Sequence, residues 1–548
     1  MKSLCSGYDI RVHSDSTAYG LQLLMVLLLV ASAVGLAVRW VKVPYSIALV
    51  IVGLALGSSH VLPRIEMHPD ILLLVFLPAL LFEASWNLDA RELKANWRPI
   101  ALLAGPGVIV SMLVSGFVVH YFGGIDFRYA CLFGAMVAAT DPISVLSIIR
   151  KLGCDKRLSL LLEAESLFND GTAVVLFKIM LTLVLASITI VNAPPGVGNY
   201  YGDVGNMCVD FCIAVVGGGI VGLAVGYLGS EVTRFFDDHL LEITLTTIVA
   251  YGSYLIAEQF HVSPVIAVLV AGIVVGNYGS REHMSAATRL AVNAFWEYAA
   301  FVVNSLVFLL IGLQIDLPLL AKYGKIISFG VLGILLARFI IVYVFGALLS
   351  SKTSPVPLNW RHLLFWGGLR GSLSMAMALS LPRQLGAEKE ELTVLTFGVV
   401  LFTLLLPGLT SESLVNALKL SVADPLLREY ESLRSRLYAE TQALHALKNM
   451  FESGAVNRKV YDQLLEEIAA RCEHLGALMD DLHLNDASAE AVQLATTRKQ
   501  LLDVRKDALR QLLRQHGAER DIVENLVLEV DSSLEEVVNK RISKSDPS

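Results

Sequence analysis

Charged side chains are scarce in this chain. Asp, Glu, Lys and Arg make up 17% of its 548 residues, and 55% are hydrophobic. Soluble domains carry about 25% charged residues, so this is the composition of a membrane protein. The shortage is also uneven: 40 of the 93 charged residues fall within 421–548. That shift divides the chain into a membrane body, 1–420, and a polar tail, 421–548. Positive charge is not in excess, the formal net charge being −7, which excludes the basic footprint of a nucleic-acid binder. Cysteine is rare too. The six residues Cys5, Cys131, Cys154, Cys208, Cys212 and Cys472 form no CxxC pair and show no zinc spacing with His. Cys208 and Cys212 share a helix face and read as small buried hydrophobes. The start, MKSLCSGYDIRVHSDS, lacks the pattern of a cleavable leader, and the first apolar run (Leu21–Val38) is long enough to remain as a span.

Long apolar windows are abundant. Thirteen of them have the length of a membrane-spanning helix: 18–39, 43–61, 70–86, 99–121, 128–149, 158–190, 206–230, 239–259, 262–278, 293–315, 324–350, 361–383 and 392–418. The predicted class is therefore an all-α polytopic membrane protein with about 13 spans. Window 158–190 is long and contains charges, so a tilted, kinked or divided helix is expected there. An odd count puts the termini on opposite sides. Loops sharing the tail's side hold roughly 14 Lys and Arg against roughly 8 on the other, which places the tail in the cytoplasm and the N-terminus outside. Beyond Asp424-Pro425, leucines recur at three- and four-residue intervals between polar faces, the pattern of amphipathic helices. A regulatory or dimer-supporting role and a plain solvated helical domain both fit the tail, and its sequence names no partner.

Ionisable residues inside spans are costly and mark functional positions. Window six reads LLEAESLFNDGTAVVLF. Glu165 and Asn169 share one helix face at i,i+4; Ser166 and Asp170 share the adjacent one. A carboxylate withdrawn from water and lacking a permanent partner favours its protonated form, so proton and cation compete for it. One such site holding either H+ or Na+ is itself an exchange mechanism. Carboxylate, hydroxyl and backbone carbonyl oxygens suit a hard cation. The alternative is a pair of structural carboxylates in a polar seam.

Window five reads GAMVAATDPISVLSII. Pro142 should interrupt the helix, and Asp141 before it suits an N-cap with Pro at N1. Asp141 would then cap a second half-helix and free carbonyls near Thr140 for a cation; a simple proline kink is the other reading. In window twelve, FWGGLRGSLSMAMALSLP, three glycines flank Arg370 and suggest a second unwound stretch. Matching interruptions seven windows apart are the sign of an inverted-repeat transporter with its site at the midplane, although no residue-level repeat is visible. Arg338 is a lone charge in GILLARFIIVYV, and Glu165 is its obvious partner, which leaves Asp170 free to titrate. Glu83, in LPALLFEASW, either reaches the site or lies at the interface beside Trp86. His120 and Lys178 read as snorkelling or satisfied polar groups.

Together ATDP (139–142), ESLFNDGTAVVLF (165–177), the arginine at 338 and GGLRGSLSMAMALSLP (367–382) resemble the monovalent cation/proton antiporters, specifically the electroneutral sodium/proton exchanger branch. The resemblance covers about 18–418. It implies a homodimer with a dimerisation layer and a six-helix core that moves like an elevator. It implies Asp170 as the cation- and proton-binding aspartate and Asn169 as the mark of one-for-one, electroneutral exchange. Glu165 and Arg338 match a structural ion pair that also holds Asn169. Ser166 and the Thr140 carbonyl match secondary Na+ ligands, Asp141 and Arg370 the charges that compensate broken helices, and Glu83 an acidic position near the site. No cofactor is implied beyond transported Na+ and H+; the partners implied are the lipid bilayer, monovalent cations and a second copy, in a plasma membrane. Potassium/proton exchange on the same fold and an intramembrane hydrolase using Asp141 and Asp170 are the rival readings.

Overall fold

A computed structural model describes residues 22–38, 40, 43–59, 71–191, 204–235, 238–280, 284–349, 356–418, 420, 425–481 and 501. The N-terminal stretch with Cys5, Asp424 and most of the tail beyond 481 lie outside the described residues. The chain divides into two compact units, Met1–Val422 and Ala423–Ser548.

Among the described residues every regular element is helical. The first unit contains α1 (Gln22–Ala37), α2 (Tyr45–Ser58), α3 (Ile71–Trp86) and α4 (Trp97–Gly123). Then come two half-helices, α5 (Phe127–Met136) and α6 (Ile143–Leu152), and the long α7 (Lys156–Val191). These are followed by α8 (Val204–Thr233), α9 (His239–Gln259), α10 (Pro264–Gly279), α11 (Ala286–Gln314) and α12 (Gly324–Phe345). A second pair of half-helices, α13 (Leu358–Trp366) and α14 (Ser372–Leu379), precedes α15 (Ala387–Ala417). Every apolar window expected from the sequence contains a helix, and windows five and twelve each contain two. Among the described residues seven helices are long and apolar enough to cross a bilayer by themselves, and α1, α2, α3 and α10 are shorter apolar helices. The window at 158–190 is a single continuous helix, one piece rather than two.

The helices of this unit pack as two groups. One holds α2, α3 and α8–α11; the other holds α4–α7 and α12–α15. Within each group, helices approach one another closely at glycines. Without a hydrophobic force between helices in lipid, such crossings rely on small residues that let backbones approach. Gly222 of α8 lies on Ala267 of α10, Gly276 of α10 on Trp86 of α3, and Gly116 of α4 on Ala130 and Cys131 of α5. Trp86 is buried, its indole N–H donating to Asn293 Oδ1 at 2.5 Å, so it is no interfacial anchor.

One expectation fails here. Cys208 and Cys212 are exposed rather than buried. They lie on α8, of whose apolar window only 11% is covered by protein; an apolar face on a membrane helix does not identify a protein core, because lipid satisfies it equally well.

In the second unit, α16 (Pro425–Glu452) and α17 (Arg458–Asp481) pair as a helical hairpin. Gly454 takes the left-handed conformation at the turn (φ 76°), and Phe451 stacks on Tyr461 with ring centroids 4.4 Å apart.

The α2–α11 crossing is the tightest test of this packing. A Cβ on Gly312 would stand 2.7 Å from Leu54 N and 2.9 Å from Gly53 Cα, backbone atoms that cannot rotate away. Gly312→Val should cost about 1–3 kcal/mol or more, read as a lower thermal midpoint and less monodisperse protein in detergent. Gly324→Ala, whose Cβ meets nothing within 4 Å, should leave both unchanged.

Candidate functional site

The two interrupted helices meet at their gaps. The α5–α6 gap and the α13–α14 gap are joined by the Asp141 N–H, which donates to the Leu369 carbonyl at 2.9 Å. Each gap exposes a helix C-terminus and a helix N-terminus, whose carbonyls and amides have no intrahelical partners. Arg370, 2% exposed, donates from one guanidinium nitrogen to the Ala138 carbonyl (2.8 Å) and the Ala139 carbonyl (3.1 Å) at the end of α5. The Asp141 carboxylate accepts from the Ile143 N–H at 3.0 Å. The cap is displaced one residue from the expected register: α6 begins at Ile143 with Pro142 at its N-cap. Asp141 also faces the N-terminus of α14, since a Cβ on Gly371 would lie 2.5 Å from its Oδ2. One carboxylate thus faces the positive ends of two half-helices, and one guanidinium satisfies carbonyls at a negative end.

The window-six residues lie on α7 beside this crossing. Ser166 donates its hydroxyl to the Thr140 carbonyl. Asn169 donates its amide to Thr140 Oγ1 (3.2 Å) and Glu165 Oε1 (3.4 Å), leaving its own Oδ1 buried with no hydrogen-bond partner. Glu165 is paired in bidentate fashion with Arg338 of α12, the second contact measuring 3.2 Å. Arg338 also donates to the Leu364 carbonyl of α13 at 2.7 and 3.1 Å. Both side chains are buried, and Gly368 leaves the space Arg338 occupies. Asp170 is left with a buried Oδ1 that has no hydrogen-bond partner. Of two carboxylates five residues apart, one is neutralised and one is kept open.

Asp170, Ser166, Thr140 and Asp141 all line one cavity of about 370 Å³ at the seam between the two helix groups. Glu83 lines it from α3, its carboxylate accepting from the Asn87 amide at 2.9 Å, so Glu83 faces the cavity. Glu165, Asn169, Arg338 and Arg370 stand behind its wall. The sequence reading missed Glu163, Arg150, Glu297 and Asn304, which also line it. Glu297 carried a usable signal, a carboxylate inside the apolar window NAFWEYAAFVV. His120 is satisfied by the Ile125 carbonyl at 2.7 Å, whereas Lys178 lines a separate cavity.

Half-helices crossing at their gaps beside an open carboxylate, inside a spanning bundle, define the class: a secondary membrane transporter. The sodium/hydrogen exchanger transmembrane family model matches residues 25–417, and the chain belongs to that family. It is 38% identical to the low-affinity Na(+)/H(+) antiporter NhaS1 of Synechocystis sp., over 94% of this chain and 97% of that protein. It is 40% identical to the Na(+)/H(+) antiporter ApNhaP of Aphanothece halophytica, over 76% and 78% respectively. Similarity to NhaG of Bacillus atrophaeus is 34%, over 93% and 96%. The fold is that of the sodium proton antiporter MjNhaP1 from Methanocaldococcus jannaschii, with a TM-score of 0.59 and 20% identity over 74% of this chain and 99% of that one.

Breaking a buried ion pair strands its remaining charge, at about 3–5 kcal/mol. Arg338→Gln or Glu165→Gln should each lower the thermal midpoint in detergent sharply. The double variant Glu165→Leu/Arg338→Met should recover a substantial part of that loss in the same melt, the sign of coupling between the two sites.

Proposed function

We propose that this protein exchanges a monovalent cation, Na+ first, for a proton, with Asp170 binding either one. Family membership makes it a transporter and not an enzyme, and the relatives named above are Na(+)/H(+) antiporters. The observation that carries the assignment to Asp170 is its buried, partnerless Oδ1, in a residue that lines the 370 Å³ cavity together with Ser166 and Thr140. The oxygens of these residues suit a small hard cation. An ionised carboxylate there needs a counter-charge, and Na+ or H+ supplies it equally in charge terms. Because Glu165 is already neutralised by Arg338 and the neighbouring position is Asn169, one exchangeable charge remains, which favours electroneutral one-for-one exchange.

Thirteen crossings with the tail in the cytoplasm and the N-terminus outside complete the reading. In it the protein is a homodimer of a plasma membrane and serves pH homeostasis, taking no cofactor beyond its transported ions. The cavity at the seam supports alternating access: sliding one helix group against the other would carry Asp170 past the opposite wall. Asp141 is engaged at the helix ends, which disfavours its use as half of a hydrolytic aspartate pair.

The test is reconstitution into liposomes with a trapped pH dye, an imposed proton gradient, and addition of Na+, Li+ or K+ in turn. Wild type should collapse the gradient with Na+, and Asp170→Asn should not. A response to K+ alone would make the protein a potassium/proton exchanger on the same machine. Clamping the membrane potential at different values should leave the Na+-driven rate unchanged if exchange is electroneutral. Exchange retained by Asp170→Asn would remove the site assignment.

A further inference from the structure

Two walls of the cavity carry a stripe of lining residues that begins at a glutamate, and the stripes have the same spacing. On α7, Glu163, Ser166, Leu167 and Asp170 line it at i, i+3, i+4 and i+7; on α11, Glu297, Ala300, Phe301 and Asn304 do so at the same intervals. Glu163 and Asp170 are thus separated by two turns, about 10 Å along the helix, as are Glu297 and Asn304. Glu163 belongs to the outer end, because it is bound to Arg150, whose side chain is 61% exposed, at 2.9 and 3.1 Å. Glu297 belongs to that end as well, being exposed where Asn304, two turns further along α11, is half-buried.

The mouth therefore carries three carboxylates in different states. Glu163 is cancelled by Arg150, the one basic side chain in the lining among the described residues. Glu83 accepts from Asn87. Glu297 is exposed and, among the described residues, has no ion-pair or hydrogen-bond partner. It projects from the twelfth position of a 29-residue helix that is long and apolar enough to span the bilayer. A charge held there, within a low-dielectric wall, concentrates counter-ions in the cleft it faces.

We propose that Glu297 is a cation-recruiting residue. It raises the concentration of hydrated monovalent cations at the mouth of the cavity that ends at Asp170, and so sets the apparent affinity of exchange from that side. This rests on the antiport reading above and adds a residue from the wall opposite Asp170. Its action is through the field and through water, so it governs how readily the cavity fills and not the exchange at Asp170 itself.

The experiment measures Na+-dependent proton movement in everted and right-side-out membrane vesicles containing the full chain, with Asp170→Asn in parallel. At low ionic strength Glu297→Gln should raise the apparent KM for Na+ by about three- to tenfold, with a far smaller change in maximal rate, and in one vesicle orientation only. Adding an impermeant salt should raise the wild-type KM toward that of the variant, because screening weakens fields over a Debye length of about 10 Å at 0.1 M. Glu297→Asp should retain most of the wild-type affinity. A wild-type KM insensitive to ionic strength would overturn the proposal, as would a Glu297→Gln variant with unchanged KM or with only its maximal rate reduced. Those results leave the antiport reading standing provided Asp170→Asn is inactive. Failure of wild type to move protons with any monovalent cation would remove both.

Discussion

The crossing of two interrupted helices is the constraint on which the rest of the molecule depends. At membrane depth a broken helix leaves amides and carbonyls that lipid cannot satisfy, so gaps survive only where protein closes them. Here the Asp141 N–H pairs with the Leu369 carbonyl across the gaps, Arg370 takes up the Ala138 and Ala139 carbonyls, and the Asp141 carboxylate caps Ile143. Gly371 is required because any side chain there would enter the space of the Asp141 carboxylate. The compensation is local and mutual: the positive residue belongs to one broken helix and acts on the other, and the negative residue caps its own half-helix while facing the N-terminus of the other's. The Thr140 carbonyl is consequently held at a fixed position within reach of Ser166 and beside Asp170.

A second interaction decides which carboxylate on α7 is available. Glu165 and Asp170 sit little more than one turn apart, yet Arg338 engages Glu165 from behind the wall and anchors itself on the Leu364 carbonyl. The pair ties α7, α12 and α13 together and holds Asn169 in its amide orientation toward Thr140. Asp170 has no such partner, and it lines the cavity with one carboxylate oxygen unpaired. The division of labour between the two acids is therefore set by which face of one helix meets the arginine.

The cavity's position at the seam gives these local facts a mechanical context. Glycine crossings such as Gly53–Gly312 in one group and Gly116–Ala130 in the other make each helix group tight internally. The walls that meet across the cavity bring carboxylates from both groups: Asp141, Glu163 and Asp170 from one, Glu83 and Glu297 from the other. A site divided this way changes its surroundings whenever the groups shift, without any change within either group.

Much of this was legible in residue order alone. Apolar windows identified the helices because a span must hide its whole backbone and most of its side chains from water. The ATDP and GGLRG stretches announced breaks because proline and clustered glycine cannot continue a helix cheaply. The pairing of Glu165 with Arg338 followed from the cost of a lone buried charge. What periodicity could not supply was the choice between helix faces and between walls. Cys208 and Cys212 looked like core residues, yet they are exposed, since an apolar face serves lipid and protein equally. Glu83 stood undecided between site and interface until α3 was seen to form one wall of the cavity. Glu163, Arg150, Glu297 and Asn304 come from three helices; Arg150 and Glu163 meet within one group, but their convergence with Glu297 and Asn304 depends on packing across the seam, between residues more than a hundred positions apart, which local sequence does not encode. The sequence by itself determined that costly charges sit in the spans; only the tertiary structure decided which of them meet partners and which face water.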